Sequence, residues 1–320
     1  MSFSEDFKQS MLSINEKTIV DCSLEAFDYQ FHTNQVYREY CNYLKVNPKT
    51  VKKLTEIPFL PIEFFKNHAV KSGEWKEKKI FRSSGTTDEG RSKHFIKDLD
   101  HYHTYSKSVF EKSFGSLSEI KIIALLPSYL EQGDSSLISM VDYFMSYSAD
   151  GSGYFIGEDL TSLLENEDPK IFIGVSFAFL DLLDKSGPIT SQNCIVIETG
   201  GMKGRRREII RNELHQMLKD GFSVNTVFSE YGMTELQSQA YGENGIFHFP
   251  PWAKCLIRDI NDPFAYLDQN KTGGINVIDL ANIDSCCFIE TKDLGRTKHE
   301  GFEVLGRFDN SDIRGCNLMI

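Results

Sequence analysis

Apolar residues in the first quarter of the chain recur at helical spacing, and beyond it they gather into short runs. Leu24, Phe27, Phe31, Val36, Tyr40 and Tyr43 predict a helix capped by Ser23 and running through about Leu44. Asn47-Pro48 then offers a cap followed by a first-turn proline. Within Ile57-Pro58-Phe59-Leu60-Pro61-Ile62-Glu63-Phe64-Phe65 the two prolines hold the backbone extended before the helix resumes. These features predict a helical N-terminal cap over residues 1–76, closed by a buried proline-rich elbow.

From Lys79 onward the apolar runs shorten and alternate with amphipathic stretches. Strands are expected at Lys79–Arg82, Lys121–Leu126, Tyr154–Ile156, Ile171–Gly174, Cys194–Thr199 and Val224–Ser229. Between them, helices are expected near Asp98–Phe114, Ser135–Ser148, Ser176–Lys185 and Arg205–Lys219. Such alternation predicts an α/β core with a largely parallel sheet over residues 77–250. After about Pro250 the runs Cys255–Arg258, Gly274–Leu280, Cys286–Thr291 and Phe302–Gly306 crowd together, as antiparallel strands do. Residues 251–320 are therefore expected to form a small antiparallel C-terminal part. No internal repeat or low-complexity linker interrupts the pattern.

Composition narrows the function classes. The 320 residues carry a net charge of −11, which argues against coating nucleic acid or binding membranes through a polybasic surface. No run approaches the roughly 18–20 apolar residues of a membrane span, and the N-terminus lacks the charged-then-apolar layout of a secretory signal. Seven scattered cysteines without a C-x-x-C pair read as free thiols in a reducing, cytoplasmic setting. His101 and His103, two apart on a predicted helix, cannot share a face and make a poor metal pair.

Three polar turns follow predicted strands. Ser83-Ser84-Gly85-Thr86-Thr87 offers consecutive N–H groups, hydroxyls and a permissive glycine, the means to wrap phosphate oxygens. A Walker-type reading of Gly85 to Gly90 is disfavoured, because Arg91 stands where lysine is required and Ser92–Ile96 reads as a strand. The second turn is Tyr231-Gly232-Met233-Thr234-Glu235; Thr234 can bond a phosphate or carboxylate oxygen, and Glu235 is a hard oxygen donor suited to Mg²⁺. The third, Gly200-Gly201-Met202-Lys203-Gly204, allows a flat ring close to the backbone and leads into Arg205-Arg206-Arg207. Three arginines in a first helical turn would oppose the macrodipole, so an anion is expected beside them.

In this order the segments resemble the adenylate-forming (acyl-activating) superfamily. Ser83-Ser84-Gly85-Thr86-Thr87 is similar to its phosphate loop and Tyr231-Gly232-Met233-Thr234-Glu235 to its Y-G-x-T-E motif. Thr291-Lys292-Asp293 is similar to the ribose-binding T-G-D, and Gly306-Arg307-Phe308-Asp309 to the hinge G-R-x-D. Within the superfamily the chain resembles the LuxE-type acyl-protein synthetases, through its short length, the Gly-Gly-x-Lys-Gly run and a terminal Arg314-Gly315-Cys316. The resemblance runs from about residue 57 to the end, with the first helices less diagnostic.

The resemblance implies ATP- and Mg²⁺-dependent activation of a carboxylic acid, a fatty acid being the first expectation, with capture of the acyl group on a protein thiol. It places Ser83 to Thr87 on the β/γ-phosphates, Thr234 on the α-phosphate and acyl carboxylate, and Glu235 on Mg²⁺. Gly200, Gly201, Tyr231 and Gly232 would face adenine, while Asp293 and Arg307 would hold the ribose. Cys316 is the expected acyl acceptor, and an acyl-accepting or reductase protein is the partner implied. The phosphate loop departs from the family's Gly-x-Pro-Lys continuation, so Arg91 or Lys93 would replace the usual lysine. Eleven residues after Asp309 leave no large C-terminal swivelling domain, which makes Lys203 the expected substitute for its catalytic lysine. Two rivals stay open: an acyltransferase fed by a pre-activated donor, and a protein that binds nucleotide or acyl-adenylate without turnover.

Overall fold

The computed structural model describes residues 2–83, 90–127, 133–155, 159–200, 206–207 and 209–308. In chain order its elements are α1 (Phe3–Ser10), α2 (Ile19–Thr33), α3 (Gln35–Tyr43), β1 (Leu60–Pro61), β2 (Lys79–Arg82), β3 (Lys93–Ile96) and α4 (Leu99–Phe114). They continue with β4 (Lys121–Leu125), α5 (Ser136–Met145), β5 (Gly153–Tyr154), α6 (Asp159–Glu165), β6 (Lys170–Val175), α7 (Ser176–Ser186) and β7 (Cys194–Thr199). The last are α8 (Arg211–Phe222), β8 (Val227–Tyr231), β9 (Ala240–Glu243), β10 (Ile246–His248), β11 (Ala253–Arg258), β12 (Gly273–Asp279), β13 (Phe288–Lys298) and β14 (Gly301–Arg307). The chain divides into two compact units, one of residues 1–64, 70–73 and 251–320, the other of 65–69 and 74–250.

In the second unit, β5, β4, β6, β7 and β8 lie side by side in that order, all parallel, and β9 and β10 continue antiparallel. The expected α/β class with a largely parallel sheet is therefore the observed one. β6 is buried along its whole length, as a parallel strand covered on both faces must be. Gly174 lies where a Cβ would come 2.5 Å from Phe179 and 3.1 Å from the Leu125 carbonyl, so α7 packs directly on the strand. Apart from this sheet, β2 and β3 form an antiparallel pair. β3 is the strand that disfavoured a Walker loop, in which a helix must follow.

In the first unit, β11, β12, β13 and β14 form an antiparallel run, the small C-terminal sheet expected from sequence. β1 pairs parallel with β13 (Leu60 opposite Ile289), and the Ile62 N–H donates to the Glu290 carbonyl at 3.0 Å. The proline elbow is thus a short edge strand, the one place in a sheet where proline's missing N–H is harmless. The N-terminal helices belong to this unit through an aromatic cluster: the Phe288 ring on β13 meets Tyr37, Phe59 and Phe27 at 6.0, 6.0 and 6.2 Å. Gln30 adds polar ties, donating to the carbonyls of Asn282 and Ile283 and accepting from the Cys287 N–H at 2.9 Å.

Two boundaries differ from expectation. Ser23 does not cap a helix: it lies inside α2, where its hydroxyl donates back to the Ile19 carbonyl at 2.6 Å. Asn34 separates α2 from α3 and caps the latter by accepting from the Tyr37 N–H. The helix expected from Arg205 begins instead at Arg211, so Arg206 and Arg207 precede its first turn. Arg206 is spent on Asp181 and Asp184 of α7, with its Nε 2.8 Å from the Asp181 carboxylate. Arg206 therefore has its counter-charge within the protein, while Arg205 lies outside the described residues.

Candidate nucleotide-binding site

Because β7 and β8 are parallel neighbours, the turns leaving their carboxyl ends lie side by side, and open α/β sheets bind ligands at those ends. Thr199 pairs with Glu230 in the β7–β8 register, and the Thr199 hydroxyl donates to the Glu230 carboxylate at 2.5 Å. Gly200 follows with φ +76°, a backbone state open to glycine at little cost. On β8, Tyr231 is buried and packs its ring on Phe247 and Phe249, while Gly232 is exposed. A Cβ at position 232 would lie 2.3 Å from a Glu230 oxygen, so only glycine leaves that carboxylate in place. Thr234 is half-buried and Glu235 is buried.

The β2–β3 pair joins these turns through His94. Its Nδ1–H donates to the Thr234 carbonyl at 2.8 Å, so the β2–β3 pair and the Tyr231–Glu235 turn are directly bonded. Ser83 closes the β2 side: its N–H donates to the Ser92 carbonyl at 3.1 Å, and its hydroxyl accepts from the Ser92 N–H. Arg91 donates to the Ser83 carbonyl and pairs with Asp134 at 2.9 Å, and Arg82 meets the same carboxylate at 3.2 Å. Arg91 therefore braces the loop's base, which leaves Lys93 as the other nominated replacement for the family's lysine.

Burial pushes the His94 imidazole down to about 4, against the opposing pull of its bond to Thr234. The folded state holds this group neutral, whereas the unfolded chain binds a proton near pH 6.5. Stability from His94 is accordingly complete above about pH 6.5 and lost as pH falls towards about 4, by up to about 3 kcal/mol. Urea unfolding between pH 7 and 4.5 should show that loss, and His94→Gln should flatten it. A slope unaltered by the substitution would place the acid sensitivity elsewhere.

On the opposite face of β7–β8, Glu198 accepts from Ser176 at 2.8 Å and Ser229 at 2.5 Å, with His215 at 3.6 Å. Burial alone would raise this carboxyl, but His215, Arg211 and the two serines hold it below the usual range. It is a satisfied structural network beneath the strand ends.

The ribose pair expected from sequence sits in the first unit. Asp293 and Arg307 are opposite each other on β13 and β14, with Arg307 Nε 3.3 Å from the Asp293 carboxylate. Arg258 supports them from below, donating to the carbonyls of Ile275 and Thr291 and to Asn276 at 2.8–2.9 Å, with its guanidinium over the Phe308 ring. The Thr291 hydroxyl in turn accepts from the Asp293 N–H at 3.1 Å. Arg258, His94 and Glu230 were not singled out from sequence. The one signal for them was a charged or polar residue inside an otherwise apolar strand.

Ser84, Gly85, Thr86, Thr87, Gly201, Lys203, Arg205, Asp309 and Cys316 lie outside the described residues. Among the described residues no three His, Cys, Asp or Glu side chains cluster as a metal cage. Mg²⁺ carried by ATP needs no such cage, since it keeps phosphate and water ligands and takes only one or two carboxylates. Among the described residues six cysteines are free thiols; burial pushes Cys41 and Cys194 up to about 12 and raises Cys286 and Cys287. Burial of this kind disfavours the thiolate at these four positions. No described helix is long and apolar enough to cross a membrane.

Comparisons with known proteins agree with this architecture. The family described as "Acyl-protein synthetase, LuxE" matches residues 3–99, so the N-terminal helices, expected to be the less diagnostic part, lie within the matched segment. The long-chain-fatty-acid–luciferin-component ligase of Vibrio harveyi is 22% identical over 343 aligned positions, covering 92% of this chain and 84% of that protein. Among solved structures, 2-hydroxyisobutyryl-CoA ligase in its postadenylation state superimposes with a TM-score of 0.70 at 11% identity, over 92% of this chain and 68% of its own. ATP-bound MatB from Rhodopseudomonas palustris gives 0.50 at 18% identity, over 73% of this chain; the chain spans about half (49%) of MatB. O-succinylbenzoate CoA synthetase from Bacillus subtilis, with ATP and magnesium, gives 0.53 at 18% identity, over 74% of this chain and 53% of its own. With family match, curated relative and fold in agreement, the chain is identified as similar to the LuxE acyl-protein synthetases, on the fold of adenylate-forming enzymes.

Proposed function

We propose that this protein activates a carboxylic acid with ATP as an acyl-adenylate and passes the acyl group to a protein thiol. The observation that carries the reading is the bonding together of three turns: Thr199 to Glu230 across β7 and β8, and His94 to Thr234 from the β2–β3 hairpin. In the first half-reaction a carboxylate oxygen attacks the α-phosphorus, the bond to the β-phosphate oxygen breaks, and pyrophosphate leaves. The reaction brings anions together, so its rate depends on fixed donors and cations at the developing charge. Thr234 would donate to the α-phosphate or the acyl carboxylate, and Ser83 to Thr87 would wrap the β- and γ-phosphates. Mg²⁺ bound with ATP would neutralise phosphate charge, and Glu235 is the residue to hold it. Gly200, Gly201, Tyr231 and Gly232 would border adenine, Asp293 and Arg307 the ribose, and Lys203 would supply the further cation.

In the second half-reaction a thiolate attacks the acyl carbonyl, the carbonyl–phosphate oxygen bond breaks, and AMP leaves. Cys316 is the nominated thiol, with an acyl-accepting or reductase protein as the partner it would serve. Acid-dependent exchange of labelled pyrophosphate into ATP tests the first half, and trapping labelled acid on the protein with and without Cys316→Ser tests the second. Exchange is expected with at least one acid, and covalent label should disappear in the variant. Adenylate binding without any exchange would leave a nucleotide-binding protein without turnover, and label persisting in the variant would exclude Cys316.

A further inference from the structure

Within the first unit a hollow lies between the end of α3, residues 55–59 and the loop at 263–266. Four aromatic rings line it: Tyr40, Phe59, Phe264 and Tyr266, with Phe59 and Tyr266 meeting at 6.2 Å. Glu290 of β13 brings a carboxylate to the same hollow, on a side chain 25% exposed. Arg258 Nη2 stands 3.6 Å from that carboxylate, beyond hydrogen-bond reach, because its guanidinium is committed to Ile275, Asn276 and Thr291. Glu56 also lines the hollow, but its carboxylate already accepts from the Lys52 and Lys53 N–H groups at 2.7 and 3.1 Å. Among the described residues no lysine or arginine lines it.

The chemistry of this lining selects a cation. An aromatic face presents the negative side of its ring quadrupole, and Glu290 adds a carboxylate whose nearest described cation makes no hydrogen bond to it. Burial raises the Glu290 carboxyl while Arg258 draws it down, so a further cation beside it favours the charged form. Burial pushes Tyr266 up to about 12, and burial with Glu290 nearby raises Tyr40, so both rings stay neutral phenols. A metal ion is disfavoured, since it needs several oxygen ligands and these walls are mostly carbon. An organic ammonium needs the reverse: one counter-charge for its head and carbon surface for its methyl or methylene groups. The hollow, about 40 Å³, admits such a head and excludes a drug-sized molecule.

We propose that this hollow is a binding site for an alkylammonium group, carried by a lysine side chain or by a free amine. The site uses none of the residues nominated for acyl activation, so it is independent of that reading. Glu290 supplies the counter-charge, and Tyr40, Phe59 and Tyr266 supply ring surface around it. Phe264 is 62% exposed, so its ring is open to a ligand and can be removed at little cost to folding.

The test is a ligand-observed NMR titration of the full chain with tetramethylammonium, butylammonium and Nα-acetyl-lysine methylamide. Neopentyl alcohol, the uncharged counterpart of tetramethylammonium, is the control at equal ionic strength. At least one cation should bind with a Kd below about 20 mM, and neopentyl alcohol at least about tenfold more weakly than tetramethylammonium. Glu290→Gln should weaken the cation at least about tenfold, and Phe264→Ala about threefold. A lysine mimic that binds tighter than butylammonium assigns the ligand to a protein side chain; any other order assigns it to a free amine. Three results overturn the site: no cation binding below about 20 mM, neopentyl alcohol binding as well as tetramethylammonium, or an affinity unchanged in Glu290→Gln. Should Glu290→Gln fail to fold, an affinity unchanged in Phe264→Ala overturns it instead.

Discussion

Glu235→Gln should lower acid-dependent pyrophosphate exchange at least about 100-fold, while nucleotide affinity measured without turnover changes less than about threefold. The substitution preserves volume and an acceptor oxygen but removes the negative charge that a hard divalent cation requires. Glu235 is only 4% exposed, so denaturant unfolding of the variant would be measured alongside, to separate a folding defect from loss of the metal-binding charge. Exchange would be followed as Mg²⁺ is titrated, alongside direct binding of ATP. In the variant, half-saturation should move to higher Mg²⁺. Equal loss of exchange and nucleotide affinity would contradict a metal-holding role and point to a packing role for the Tyr231–Glu235 turn.

The sequence made the strand–loop frame legible because its apolar runs are bounded by polar turns. β2 and β7 fall on the expected bounds, and β4, β6, β11, β12 and β14 within two residues of them, whereas β13 runs on to Lys298, seven residues past its expected end at Thr291. Helix starts were less legible, for two local reasons. A serine inside α2 satisfies itself on the preceding turn, which from sequence looks like a cap. The arginine run resembles a charged first turn, yet Arg206 pairs with α7, about 25 residues earlier, and the helix waits for Arg211. The candidate site shows the same division. The turns carrying Thr234, Glu235, Gly200 and Ser83 stand out by composition, and Asp293 and Arg307 by resemblance. The groups that join them do not: His94 reaches Thr234 across 140 residues and Glu230 reaches Thr199 across 31. Single polar residues within apolar strands announce such contacts only once the strands are placed beside each other.

Phe288→Ala should destabilise the unit formed by residues 1–64, 70–73 and 251–320 by about 3–5 kcal/mol. The ring is fully buried and lies among Phe27, Tyr37 and Phe59, so removing it takes away both its transfer free energy and the contacts around the cavity. Neighbouring bonds limit collapse into the gap: the Tyr37 hydroxyl is held by the Pro58 carbonyl at 2.6 Å, and Gln30 fixes the backbone at Asn282, Ile283 and Cys287. Denaturant unfolding should show the loss, with Phe264→Ala, at a 62% exposed position, changing stability by no more than about 0.5 kcal/mol. A loss below about 1 kcal/mol at Phe288 would mean that the helices do not share its core. The consequence reaches the site because β13 carries Phe288 at one end and Asp293 five residues on, opposite Arg307. Residues 3–99, where the family match falls, contain α1 to α3, β1 and the β2–β3 pair. Of these, α2, α3 and β1 pack on or pair with β13, the strand that carries Asp293. Packing against β13 is thus a physical role of the helical cap in this chain.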